Sequence, residues 1–84
     1  MTAERVLTLL SAPGCHLCHD MRAVIERVAP ALGFALEERN VRERAEWQGY
    51  RLEIPVLLAD GQEVARHRVD AAELERRLRA LAGS

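Results

Sequence analysis

Lysine is absent from this 84-residue chain, and aromatic residues nearly so: Phe34, Trp47 and Tyr50 are the whole set. A core must therefore be assembled from Leu, Val, Ile and Ala. No charge of one sign dominates. The formal net charge is −1, with acids and bases interspersed. A nucleic-acid partner is not expected, because there is no basic patch and no aromatic interleaving. Long hydrophobic runs are missing too, so no membrane span is expected. The run at residues 6–10 is too short for a secretory signal and follows Glu4 and Arg5. A cytoplasmic location is therefore expected. All twelve basic residues other than histidine are arginine; this reads as a compositional bias without functional meaning. Cysteine is limited to Cys15 and Cys18. In a reducing compartment such a pair is more often catalytic or metal-binding than a structural bridge.

What is present is enough to fold. Apolar residues make up 49% of the chain, and 84 residues suit one domain with one core, spanning 1–84. The informative stretch is Ser11-Ala12-Pro13-Gly14-Cys15-His16-Leu17-Cys18-His19. Val6 to Leu10 precede it as a short apolar run, the signature of a strand buried on both faces. Leu17, Met21, Val24, Ile25 and Val28 follow it at helical spacing. Both cysteines thus sit where a strand hands over to a helix, Cys15 at the helix start and Cys18 one turn on.

That placement has chemical consequences. The first amides of a helix have no intrahelical partner, and the helix dipole favours an anion beside them. Thiols in such sites titrate at roughly 3.5–7.5 instead of about 8.5. The thiolate is the form that attacks disulfides. Cys15 is the expected nucleophile and Cys18 the less exposed resolving thiol. His16 is a candidate to favour the ionised thiol and protonate a leaving sulfur; His19 is a weaker candidate for the same work. Three other readings stand beside this one. The cysteines are two core residues; or they bind a metal, although no second ligand pair is present; or Cys15-His16-Leu17-Cys18-His19 attaches haem, whose pattern it matches, although a strand–helix–strand context does not suit a small cytochrome.

Along the rest of the chain, strand one is expected at 6–10, the reactive turn at 11–15, and helix one at 15–29, ended by Ala29-Pro30. Strand two follows at 34–39, with Phe34 and Leu36 on one face. A strand–helix–strand of this length predicts two parallel strands with a right-handed crossover. Residues 41–52 carry little periodicity; a short helix near 43–50, closed by Gly49, is expected to dock Trp47 and Tyr50 on the sheet or to line a substrate rim. Strand three is expected at 53–59, the Asp60-Gly61 hairpin turn next, and strand four at 63–68 as an antiparallel edge. Asp70 with Glu73 resembles a capping box opening the last helix. Leu74, Leu78 and Leu81 form its buried stripe, and Glu73/Arg77 and Glu75/Arg79 make exposed ion pairs.

This order, β-α-β-α-β-β-α, resembles the thioredoxin fold, a four-stranded mixed sheet flanked by helices. The motifs Ala12-Pro13-Gly14-Cys15-His16-Leu17-Cys18, Glu53-Ile54-Pro55-Val56-Leu57, Asp60-Gly61 and Asp70 to Leu74 most closely resemble the small glutaredoxin-like proteins. The resemblance implies a thiol–disulfide oxidoreductase that reduces protein or low-molecular-weight disulfides. It implies a cis Pro55 against the dithiol, with the backbone of Ile54 pairing with substrate beside Pro13 and Gly14. No cofactor is expected to be bound; glutathione or another thiol, or a reductase, would reset the pair. A monomer without a metal is expected. The alternative is a non-catalytic thioredoxin-fold module that binds a protein or a metal through the same cysteines. Two departures stand out. Leu9 occupies the position where thioredoxins carry a buried Asp, and Arg66-His67-Arg68 occupies the region where glutaredoxins carry the Gly-Gly that helps hold glutathione. Arg22, Arg66 and Arg68 are candidates to hold a substrate carboxylate instead.

Overall fold

In the computed structural model, which describes residues 5–82, the chain forms four strands and two helices joined by 3₁₀ turns. Strand β1 (Arg5–Ser11) leads into helix α1 (His16–Val28), which returns the chain to β2 (Phe34–Asn40). Strands β3 (Val56–Ala59) and β4 (Gln62–Arg66) form a hairpin, and α2 (Ala71–Ala82) closes the described chain. The sheet order is β2-β1-β3-β4. β1 and β2 are parallel, as the strand–helix–strand spacing requires, and β3 runs antiparallel to both β1 and β4. The result is a mixed α/β sheet of thioredoxin-like form.

Period-two alternation divides the core between the two faces of the sheet. Leu7 and Leu9 of β1 join Leu57 and Ala59 of β3 on one face, beneath Met21 and Ile25 of α1 and Leu74 and Leu78 of α2. Both helices therefore cover the same face. On the other face, Leu10, Val56 and Leu58 meet Val41 and Trp47, with Tyr50 and Ile54 against them. Trp47 and Tyr50 thus dock on the sheet. Leu81 is only half-buried, so the stripe on α2 weakens toward its end.

Local chemistry explains where the boundaries fall. Helix α1 ends at Ala29-Pro30 as expected: Ala29 keeps helical dihedrals and its N–H reaches Ile25 O at 2.8 Å, but Pro30 has no N–H to continue the ladder and opens a 3₁₀ turn that ends at Gly33 with φ 84°. The expected helix near 43–50 is instead two 3₁₀ turns, Val41–Glu43 and Ala45–Tyr50. Too few apolar positions recur there to hold a full α-turn ladder. Gly49 lies inside the second turn and does not close it. Strand three is shorter than expected, beginning at Val56, because the cis Ile54-Pro55 bond bends the chain ahead of it and Pro55 has no N–H to give. Strand four ends at Arg66, not Arg68, because His67 adopts φ 65°, outside strand geometry. Asp60 and Gly61, at φ 52° and 81°, make the type I′ turn expected of Asp-Gly. At α2, Asp70 Oδ1 accepts the Glu73 N–H at 2.8 Å, but Glu73 does not complete the box; its carboxylate turns to Arg76 and Arg77. The expected Glu75–Arg79 pair forms at 2.8 Å.

Candidate functional site

β1 delivers the chain to a tight turn. Gly14 sits at φ 80°, a conformation that a side chain resists, and the Cys15 N–H returns to Ala12 O at 3.3 Å. Cys15 is the N-cap of α1, and its Sγ accepts the Cys18 backbone N–H at 3.2 Å. The sulfur fills the place that a Ser or Asp oxygen takes in an ordinary cap, on an amide that has no partner in the helix. The two cysteines are joined as a disulfide with Cα atoms 5.2 Å apart. They differ in access: Cys18 is 3% exposed, whereas Cys15 is half-buried. One sulfur is reachable and rests on a free amide; the other is shielded.

A cleft of about 380 Å³ lies alongside, lined by the turn at residues 11–14, both cysteines, His19 and the end of β2. Its polar side chains are linked. Ser11 Oγ–H donates to Glu38 Oε2 at 2.8 Å, Arg22 Nη1 donates to Glu38 Oε1 at 3.0 Å, and Arg22 Nη2 lies 3.3 Å from His19 Nδ1. The Ser11 hydroxyl, first, and then Arg22 hold the Glu38 carboxyl below its ordinary range, against an opposing push from partial burial. Leu9, where thioredoxins carry an acid, is fully buried in the apolar core. Glu38 is the carboxylate that this cleft possesses instead.

The residues nominated from sequence divide into groups. Pro13, Gly14, Cys15 and Cys18 share the cleft. His16 is exposed and lies outside its lining. Pro55 is fully buried, and its peptide bond to Ile54 is cis. Since Val56 pairs with Leu10, Pro55 stands at the end of the sheet where β1 gives way to the cysteine turn. Ile54 is half-buried against the Trp47 cluster. Glu53 is tied to Arg66 at 3.3 Å and to His67 Nε2 at 3.0 Å. Of the arginines proposed for a substrate carboxylate, Arg22 is engaged by Glu38, and Arg66 by Glu63 and Glu53. Arg68 makes no ion pair among the described residues and helps to line a second, larger groove of about 470 Å³, with Leu17, Met21 and Val24. That groove reaches neither sulfur. Among the described residues no cluster of three or more His, Cys, Asp or Glu is arranged to hold a metal, and no helix is long and apolar enough to cross a membrane.

Ser11 and Glu38 were not singled out from sequence. The available signal was the alternation of strand two: Glu38 falls on the same side as Phe34 and Leu36, so a charge occupies a helix-facing position. Partners 27 residues apart leave no local trace.

A mixed sheet with a dithiol at the N-terminus of its first helix and a cis proline at the same sheet end defines a protein of the thioredoxin-like class. The match to the family model for the glutaredoxin-like domain (DUF836), over residues 6–79, is more specific. The chain belongs to that glutaredoxin-like family.

Proposed function

We propose that this protein is a thiol–disulfide oxidoreductase in which Cys15 and Cys18 reduce disulfides of proteins or small molecules. The observation that carries the reading is the reachable Cys15 sulfur on the free Cys18 amide, bonded to a buried partner. That amide and the helix N-terminus favour a thiolate at Cys15. In the reduced enzyme, the thiolate attacks a substrate disulfide; one substrate sulfur leaves as a thiol and the other is held in a mixed disulfide with Cys15. Cys18 then loses its proton and attacks Cys15 Sγ, which releases the second substrate thiol and leaves the disulfide. Two electrons and two protons pass to the substrate. Glutathione or another thiol, or a reductase, returns them.

Pro13 and Gly14 form the rim against which substrate lies, and the backbone at Ile54, ahead of Pro55, pairs with it. A cytoplasmic monomer is part of this reading, since a cysteine pair that cycles suits a reducing compartment. His16, solvent-exposed at the helix start, is proposed to favour the ionised thiol from outside the cleft. Reduction of hydroxyethyl disulfide with glutathione, and of insulin with a dithiol, tests the reading: turnover that disappears in Cys15→Ser is expected, and Cys18→Ser should accumulate mixed disulfides at Cys15. Stoichiometric capture of a partner without turnover would make the protein a binding module instead.

A further inference from the structure

The chain Ser11–Glu38–Arg22–His19 ends in the cleft that holds both sulfurs. Its geometry fixes the ring chemistry of His19. An arginine N–H can only donate, so the contact from Arg22 Nη2 at 3.3 Å requires His19 Nδ1 to accept. In the neutral ring the proton then resides on Nε2. Arg22 is itself held at 3.0 Å by Glu38, whose other oxygen takes the hydroxyl of the buried Ser11 at 2.8 Å. The lowered titration of Glu38 keeps that anchor charged. His19 also stands one helical turn from Cys15, its backbone N–H directed at Cys15 O at 3.4 Å, and both residues line the same cleft. His16 has none of these supports.

We propose that His19, through its Nε2–H, is the side chain that hydrogen-bonds the Cys15 thiolate when the disulfide opens, and that Arg22, Glu38 and Ser11 are positioning residues that set its tautomer and direction. The proposal rests on the redox reading above and deepens it. No proton is transferred in this role: a neutral donor faces an anion, and Cys18 N–H supplies the second hydrogen bond.

The test measures iodoacetamide alkylation of Cys15 against pH in the Cys18→Ser protein, where it is the sole thiol. His19→Ala is expected to slow alkylation at mildly acidic pH about tenfold, the scale of one hydrogen bond to a charged group, with no change at high pH where the thiol is fully ionised. Glu38→Gln and Arg22→Met should give smaller losses in the same direction, and Arg22→Lys, which keeps a donor, should recover most of the loss. Nitrogen NMR of the imidazole in the parent should find the proton on Nε2, and its fraction should fall in Arg22→Met. A His19→Ala profile that superimposes on the parent overturns the proposal, as does an equal loss in His16→Ala with none in His19→Ala. Hydroxyethyl disulfide turnover of the parent separates the two readings. Turnover without a His19 effect defeats this inference alone, and a His19-dependent profile without any turnover defeats the redox reading alone.

Discussion

The two faces of the sheet are built differently. One is roofed by α1 and α2 and encloses Leu7, Leu9, Ile25, Leu57, Leu74 and Leu78, all fully buried. Among the described residues the other is covered by 3₁₀ turns, through Val41 and Trp47, with Tyr50 and, from the loop beyond, Ile54 at the margin. Regular helices place a residue every turn over the sheet and fill the roofed face with aliphatic side chains. Short 3₁₀ turns cannot do so, and a single large aromatic supplies most of the cover. The site uses both faces. The cysteines hang on the helix that roofs the first, whereas the Ile54-Pro55 bend borders the second. The cysteine pair is therefore carried by the half with two regular helices, and the Ile54-Pro55 bend by the thinner half.

Leu9→Ala should sharpen that contrast most. Leu9 is fully buried in the central strand, and such truncations cost about 2–5 kcal/mol because the surroundings relax only partly. The upper part of that range is expected from urea unfolding, with loss across the whole domain. Trp47→Ala is expected to cost less, about 2 kcal/mol, although Trp deletions in rigid cores cost about 3–5 kcal/mol. Trp47 is 8% exposed, and its cover of 3₁₀ turns can settle into the gap. Amide exchange across residues 41–50 should accelerate ahead of global unfolding. Equal costs for the two variants, or uniform exchange, would erase the difference between the faces.

A smaller effect tests how the roof itself is anchored. Asp70 Oδ1 accepts the Glu73 N–H at 2.8 Å at the start of α2. Asp70→Ala should cost about 1 kcal/mol, as N-cap losses do, read as a lower urea midpoint with an unchanged slope. Asp70→Asn should restore most of it.

Strands one and two, both helices, the hairpin and the parallel pairing were legible in the sequence, because hydrophobic period and turn residues act locally. Asp60-Gly61 dictates its own turn, and Leu74 and Leu78 their own helix face. The boundaries that failed were set by remote or non-repeating causes. His67 leaves the strand at a left-handed φ while its N–H bonds to Pro55 O at 2.8 Å, a partner far away in sequence. The dithiol turn was legible for the same local reasons as the hairpin. The polar chain beside it was not, since Ser11, Arg22 and Glu38 come from three elements and meet only once the sheet is formed.

The smallest expected effect concerns pH, and it separates the roofed face from the open edge. Glu38 and Glu63 both titrate below the ordinary carboxylate value of 4.5, Glu38 chiefly through the Ser11 hydroxyl and Glu63 chiefly through Arg66. A carboxyl whose folded value is depressed adds stability above its unfolded value, and loses it as pH falls through the folded one. Both contributions are therefore present at neutral pH and vanish with acidification below about 4.5. Glu38→Gln and Glu63→Gln should each lower the urea midpoint at pH 7, and each difference should shrink toward zero as pH falls through the depressed folded value of that carboxyl. Salt then distinguishes them. Glu63 pairs with an exposed guanidinium on the edge strand, and screening should remove its contribution. Glu38 rests first on a hydroxyl at a residue only 7% exposed, a dipole that ions in solution do not screen away. Its contribution should survive high salt. If it fell as far as that of Glu63, Arg22 rather than Ser11 would be what holds the Glu38 carboxylate, and the anchor beside the dithiol would be a surface ion pair.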